Sequence, residues 1–456
     1  MNTAETIAEQ VFGPPDAQPD RVFIGAPHHD AHRPADLTPH PDKAISQRAT
    51  ILAALADGTS RIRGLADCHD TRNNLRALTR LGVAVRPEGP ATVTITGRDV
   101  AAFAERDVDL DAGNSATSSR LLLALLAGGR GRYTVTGNAS LRGRPMGEVI
   151  RPLRQLGAHL TELEAADRLP VRIDGVRLHG GEVAVQAHSA QPVSALLYAA
   201  VSAAGPVIIR RRTAARDHTE RLLRWTGVQV EESETRLRVL PARPRAFDLA
   251  IPGDPSAAAF LAALHLAAAP GRELALHEVC LNPRRTGFFA AVAAMGAKVD
   301  LEPRGADGPE PVGTVRVSRT GRLNSTVISG PQLIQSAIDE LPLLAALAAT
   351  ADGPVVIADA AELRGKDTDR IATTIDLLTA FGVRARANAD GLKVTPTPPQ
   401  GPPVLELPAD HRVVFAAFVL ALLAGGGTEL RGVAAAATSN PAALGELARF
   451  ARIEAR

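Results

Sequence analysis

The chain repeats one pattern six times, and this repetition limits its possible folds more than any single motif does. Each unit starts with an Ala/Leu-rich apolar run, a small-residue turn and a short β-branched stretch. A polar loop, an amphipathic helical pattern and a closing glycine before another β-branched stretch complete it. The closing glycines are Gly82 in LTRLGVAV, Gly157 in LRQLGAHL, Gly227 in LRWTGVQV, Gly296 in VAAMGAKV and Gly382 in LTAFGVRA. A sixth, truncated unit begins at VLALLAGGGTELRGV. The period of roughly 70 to 85 residues is too long for a solenoid, whose repeats span about 20 to 50.

A glycine closing a helix supplies a left-handed position, and the next residues return as a strand. Runs such as SRLLLALLAG and VSALLYAAV are apolar on nearly every face and are expected to be buried helices. Strands alternating with helices predict an α/β (α+β) fold. At 456 residues the chain has room for two domains. The stretches LTPHPDKAIS and LAIPGDPSAAA share a strand, then Pro/Gly and Asp, then a helix start, and read as two crossings of one hinge. That reading assigns residues 22–41 plus 249–456 to a first, discontinuous domain of three repeats. Residues 42–248 form a second domain of three repeats, and residues 1–21 are expected to be disordered.

Composition mainly excludes. With 51 Lys+Arg against 49 Asp+Glu there is no bulk charge for nucleic acid or a membrane surface. Cys68 and Cys280 make neither a disulfide framework nor a zinc spacing. The first twenty residues have neither a basic n-region nor an apolar core. FAAFVLALLAGG is about half a membrane span and reads as a buried helix. A soluble cytoplasmic protein is expected.

The charged residues gather at helix entries. PDKAISQR places Lys43, Ser46 and Arg48 in the first turns of a helix, where free N–H groups and the dipole favour an anion. Alone, it reads more readily as a solvated helix start. DAGNSATSSR sets small residues before an apolar helix that carries Arg120. In LRGRPMGEVIRPLRQLG, Arg144 precedes Pro145, which suits the first helical position. AHSAQPV places Ser189 and Gln191 at a helix start. AARDHTERLL offers Arg216, Asp217 and His218, which read as a catalytic dyad or as a cap by Asp217 or Thr219. Asp339 and Glu340 precede another buried helix, as do Asp410, His411 and Arg412. In LRGKDTDR, a helix would put Lys366, Asp369 and Arg370 on one face and pair Asp367 with Arg370. Convergence of so many cations suits a substrate bearing phosphate and carboxylate.

Ten motifs occur in order: DKAISQR, GNSATSSR, RPMGEVIRPLRQLGA, SAQ, RDHTE, PGDPSAAAF, NPRRTG, IDELP, LRGKDTDR and DHR. With them the chain resembles the 5-enolpyruvylshikimate-3-phosphate synthase (3-phosphoshikimate 1-carboxyvinyltransferase) family from residue 36 onward. SAQ, RDHTE and Ala116 resemble the glyphosate-tolerant class II branch, where the alanine replaces a glycine and crowds the inhibitor site. The resemblance implies two domains, each of three βαβαββ repeats in an inside-out barrel, closing over substrate like a clam shell. It implies phosphoenolpyruvate bound by Lys43, Arg144, Arg370 and Arg412, with Gln191 and the backbone at Ala116 nearby. A phosphorylated, shikimate-like acceptor would meet Ser189, Arg48 and Gln191, its hydroxyl addressed by Asp339 and Lys366. Lys43, Asp339, Lys366 and Asp367 are the implied catalytic set, with Asp367 in proton transfer. A monomer needing no metal and no cofactor is implied.

The implied reaction adds the acceptor hydroxyl to C2 of the enol while C3 takes a proton, then expels phosphate and the C3 proton. It needs a base, an acid and fixed cations. The chain departs from the family pattern at Ala44 (serine), Pro41 (glycine), Gln47 (histidine or asparagine), Asp367 (glutamate) and Asn440 (phenylalanine). Asp367 shortens its arm by roughly 1.5 Å, and misplacement by about 1 Å can cost on the order of 100-fold in rate. The first expectation is enolpyruvyl transfer to shikimate 3-phosphate. The second is a specialised-metabolism paralogue acting on another phosphorylated polyol, or eliminating on a shikimate-like ring. A silent binding protein is the third.

Overall fold

The computed structural model describes residues 3–14, 18–28, 34–104, 107–186, 189–213, 215–268, 270–305 and 308–456. The chain forms two compact units. One comprises Met1–Pro15, Pro41–Ile251 and Asp307–Glu310; the other comprises Asp16–His40, Pro252–Ala306 and Pro311–Arg456.

Six four-stranded sheets share one topology. In one of them, strands Gly181–Val185 and Val207–Arg211 run parallel, joined through helix Ala190–Val201. Helix His218–Trp225 follows, and the hairpin Val230–Glu232 and Arg236–Val239 adds two antiparallel strands. The register aligns Val183 with Ile209 and Ile209 with Leu237, so one face of the sheet is buried. The unit is βαβαββ.

Two sheets borrow their first strand from a distant stretch of chain. Asp36–Leu37 pairs in parallel with Glu273–Cys280, the strand after helix Pro255–Ala268. Asp248–Ala250 pairs in parallel with Thr59–Arg63, the strand after helix Lys43–Leu55. The truncated sixth repeat is completed by Arg21–Pro27, which lies between Thr428–Arg431 and Ala451–Ala455. An inside-out barrel therefore describes only the order of burial. The six sheets stay separate, and the described residues close no barrel.

The apolar helices form the interior. In Ala116–Ala127 every residue from Leu121 to Ala127 is at most 1% exposed, and helix His411–Leu423 is buried from His411 to Leu422. Truncating one such leucine to alanine would cost about 2–5 kcal/mol. The closing glycines Gly82, Gly157, Gly227, Gly296 and Gly382 have φ of 77°, 92°, 94°, 87° and 73°, the left-handed turn expected of them. No described helix is long and apolar enough to cross a membrane.

The N-terminal segment corrects an expectation of disorder. Thr3–Phe12 is a helix that buries Ile7, Ala8 and Val11. Residues 1–2 and 15–17 lie outside the described ones. Ten residues rarely hold a helix by propensity alone, so its order comes from tertiary burial.

Candidate active site

In the first unit, helix Lys43–Leu55 is capped by Asp42, whose Oδ1 accepts from the Ile45 N–H at 2.8 Å. The cap aims the first turn, and Lys43 Nζ lies 3.3 Å from Asp70 Oδ2. Arg48 is only 4% exposed. Its Nε donates to Thr219 Oγ1 at 3.0 Å, Nη1 to Ala44 O at 3.0 Å and Nη2 to Ser194 Oγ at 3.1 Å. The phenol of Tyr198 donates to the Arg48 carbonyl at 2.9 Å. Gln47 reaches Ser115 Oγ at 2.8 Å and Ser118 Oγ at 2.9 Å, joining this helix to the entry of Ala116–Ala127.

Ser115 caps Ala116–Ala127, leaving Ala116 as its first residue, 7% exposed. One turn on, Arg120 donates to Gln191 Oε1 and, at 2.9 Å, to Pro145 O. Burial, with Arg144 adding repulsion, lowers the Arg120 pKa to about 10. Arg144 Nη2 donates to Asn114 Oδ1 at 3.3 Å. Ser189 caps helix Ala190–Val201, its Oγ accepting from Gln191 N at 3.3 Å. Two guanidinium groups, Gln191 and a helix entry thus surround Ala116, an arrangement that favours an anion.

Two local expectations change. Helix Gly147–Gln155 begins after Met146, so Pro145 is not its first residue. Pro145 lies in the short link after the turn closed by Arg144 N donating to Leu141 O and before Met146, whose N donates to Asp167 O. Asp217 makes no side-chain cap to His218–Trp225; it pairs with Arg221 at 3.0 Å, while His218 Nδ1 lies 2.6 Å from Glu310 Oε1.

In the second unit, Arg370 is 3% exposed. Its Nε donates to Asp410 Oδ2 at 2.8 Å and its Nη1 to Asp339 Oδ1 at 2.9 Å. Burial alone would lower its pKa; Asp410 and Asp339 more than offset this and raise it. Arg412 Nη2 lies 3.6 Å from Asp339 Oδ2 and Nη1 3.3 Å from Glu340 Oε1. Glu340 also accepts from Ser256 Oγ at 2.5 Å. Asp339 therefore links the two arginines.

The LRGKDTDR stretch differs from the helix expected of it. Ala361–Gly365 is a 3-10 turn, and the α-helix starts only at Arg370, capped by Asp369 through Ile371 N and Ala372 N. Lys366 thus shares no helical face with Arg370 and forms an ion pair with Glu362. Asp367 lies ahead of the helix, its Oδ2 3.9 Å from His411 Nδ1, and its charge adds to those of Asp410 and Asp339 in raising the Arg370 pKa. Burial would raise the Glu362 pKa, but the charge and hydrogen bond of Lys366 outweigh it and hold the carboxyl below its usual range. Asp367, Asp410 and His411 bring three ligand atoms within 4.8 Å of one another, but Asp410 already accepts from Arg370 and Thr368. The cluster's chemistry is that of an ion-pair network.

In the first unit, Lys43, Arg48, Ala116, Arg144, Ser189 and Gln191 lie at or near helix entries. In the second, Asp339 joins Arg370 and Arg412, while Lys366 is held by Glu362 and Asp367 lies beside His411. Sequence reasoning gave no role to Asp70, Glu362 or Asp410 as partners of these cations. Asp410 carried a weak signal in its DHR triplet; Asp70 carried none.

Residues 32–447 match the family model described as EPSP synthase (3-phosphoshikimate 1-carboxyvinyltransferase). The chain is 40% identical over 418 residues to a 3-phosphoshikimate 1-carboxyvinyltransferase of Roseiflexus sp. (strain RS-1), covering 90% of this chain and 95% of that one. Against the protein of the same name from Thermosynechococcus vestitus it is 40% identical, covering 88% and 91%. Among solved structures, EPSP synthase from Acinetobacter baumannii superposes with a TM-score of 0.84 at 29% identity, over 95% of this chain and 99% of that one. The enolpyruvyl transferase NikO from Streptomyces tendae shares the fold, with a TM-score of 0.74 at 18% identity over 96% and 99%. The chain belongs to the EPSP synthase (3-phosphoshikimate 1-carboxyvinyltransferase) family.

Proposed function

We propose that the protein transfers the enolpyruvyl group of phosphoenolpyruvate to the 5-hydroxyl of shikimate 3-phosphate and releases phosphate. The observation that carries this reading is 40% identity, over 90% of the chain, to a relative named for that reaction. It favours the synthase over a paralogue with another acceptor.

Lys43, Arg144, Arg370 and Arg412 hold the phosphate and carboxylate of phosphoenolpyruvate, with the Ala116 backbone and Gln191 beside them. The burial of Arg370 and Arg412 supports this role, because cations fixed in advance by protein carboxylates need no reorganisation when the reaction's charge develops. The repulsion between Arg120 and Arg144 is relieved by a bound anion. Arg48, Ser189 and Gln191 address the acceptor, and Asp339 and Lys366 its hydroxyl. Asp339, already an acceptor toward two arginines, takes the hydroxyl proton as the oxygen bonds to C2. C3 receives a proton, with Asp367 in the transfer, giving a tetrahedral ketal. Cleavage of the C2–O bond to phosphate and return of one C3 proton yield the carboxyvinyl ether. Lys43 balances the charge of the departing phosphate.

Incubation with both substrates should release phosphate and form the enol ether in equal amounts. No release at high enzyme concentration overturns the reading; release only with another acceptor supports the paralogue.

A further inference from the structure

Helix Thr3–Phe12 lies outside the residues matched by the family model, and no role assigned above uses it. We propose that this helix, acting through Arg72, is a positioning element that fixes Asp70 and so Lys43. The inference rests on the role proposed for Lys43.

Arg72 is 4% exposed, and all three of its guanidinium nitrogens are engaged. Nε and Nη2 grip Asp67 at 2.7 and 2.9 Å, a bidentate pair onto the loop that precedes helix His69–Arg80. Nη1 donates at 2.8 Å to the carbonyl of Gly13, and the guanidinium lies 5.1 Å from the centroid of the Phe12 ring. One side chain thus ties the end of the N-terminal helix to the start of the helix that carries Asp70.

Backbone contacts make the same connection. Ala91 N donates to Val11 O at 3.0 Å, and Leu65 N donates to Ala91 O at 2.8 Å. Ala66 N then donates to Ser46 Oγ at 3.0 Å, reaching the Lys43 helix itself. Helix His69–Arg80 starts after Cys68, a thiol where a hydroxyl or carboxylate would cap best. Its first turn, which includes Asp70, therefore depends on tertiary contacts for order. Asp70 Oδ2 is 3.3 Å from Lys43 Nζ, so fraying of that turn moves the ammonium directly.

The test uses Arg72→Ala, Arg72→Lys and Phe12→Ala in the full chain. Only Lys43, Lys298, Lys366 and Lys393 are lysines, so acylation by an N-hydroxysuccinimide ester can be followed residue by residue by peptide mass mapping. Arg72→Ala should raise KM for phosphoenolpyruvate on the order of tenfold while KM for shikimate 3-phosphate changes by less than about twofold. Lys43 should be acylated faster relative to Lys298, Phe12→Ala should act in the same direction more weakly, and Arg72→Lys should recover part of the loss. A fall in Tm with KM and Lys43 acylation unchanged would mean a merely structural contact and overturn the proposal. If Arg72→Ala does not fold, Phe12→Ala decides by the same readouts. If the unmodified protein releases no phosphate, the assigned reaction fails, and the acylation comparison alone decides whether the helix positions Lys43.

Discussion

Arg370 and Asp410, 40 residues apart in the chain, share a 2.8 Å hydrogen bond and are both buried. The pair organises the charged cluster of the second unit. Asp410 also accepts from Thr368 Oγ1 at 3.1 Å and caps its own helix through Arg412 N at 3.0 Å. Asp410→Asn leaves a buried guanidinium short of one counter-charge. It should lower stability by about 3 kcal/mol, read by chemical denaturation, because removing one partner of a buried pair strands the other. Turnover should fall as Arg370 loses its orientation.

Glu362 holds Lys366 by an ion pair and is itself held by Gln335 Nε2 at 2.6 Å. Glu362→Gln should reduce turnover by about tenfold or more while binding of phosphoenolpyruvate, measured by calorimetry, changes little. Equal losses in both would place Lys366 on phosphoenolpyruvate instead of the acceptor hydroxyl.

Asp367 is the departure closest to the proposed proton transfer, 3.9 Å from His411 Nδ1. Asp367→Glu restores one methylene, roughly 1.5 Å of reach, at a site where about 1 Å matters. Turnover with shikimate 3-phosphate should rise in steady-state assays. A drop would indicate that the remaining shell is built around the shorter side chain and a different acceptor.

Ala116 opens its helix among Arg120, Arg144 and Gln191. Its methyl should make glyphosate a weak inhibitor. Ala116→Gly should lower the inhibition constant by about tenfold or more, the usual effect of one methyl group in a binding pocket. Micromolar inhibition of the unmodified protein would count against this placement.

Glu220 is 1% exposed, and burial, with Asp217 and Glu232 adding to it against Arg211, pushes its pKa up to about 7. The folded state then holds this proton at pH values where the unfolded chain has released it. Stability should fall as pH rises from about 4.5 to about 7. Glu220→Gln removes that component, so relative to the unmodified protein it should gain more stability at pH 8 than at pH 5. A pH-independent difference in Tm would show that Glu220 is already ionised when folded.

Local residue patterns alone determined a great deal. Helix starts such as Asp42–Lys43, Ser115–Ala116 and Asp410–His411 were legible because a capping side chain and the N–H group it accepts from lie within three residues. The closing glycines and the apolar helices exposed the repeat for the same reason: backbone conformation and period are short-range properties. Only the tertiary structure decided which charges face each other. Asp70 opposes Lys43, Asp410 opposes Arg370, and Glu362, not Arg370, shares a face with Lys366. It also decided that Asp36–Leu37 and Asp248–Ala250 complete sheets far along the chain, and that Thr3–Phe12 is ordered at all. Those outcomes depend on which surfaces remain to be buried once the helices have packed, and no short window of residues carries that information.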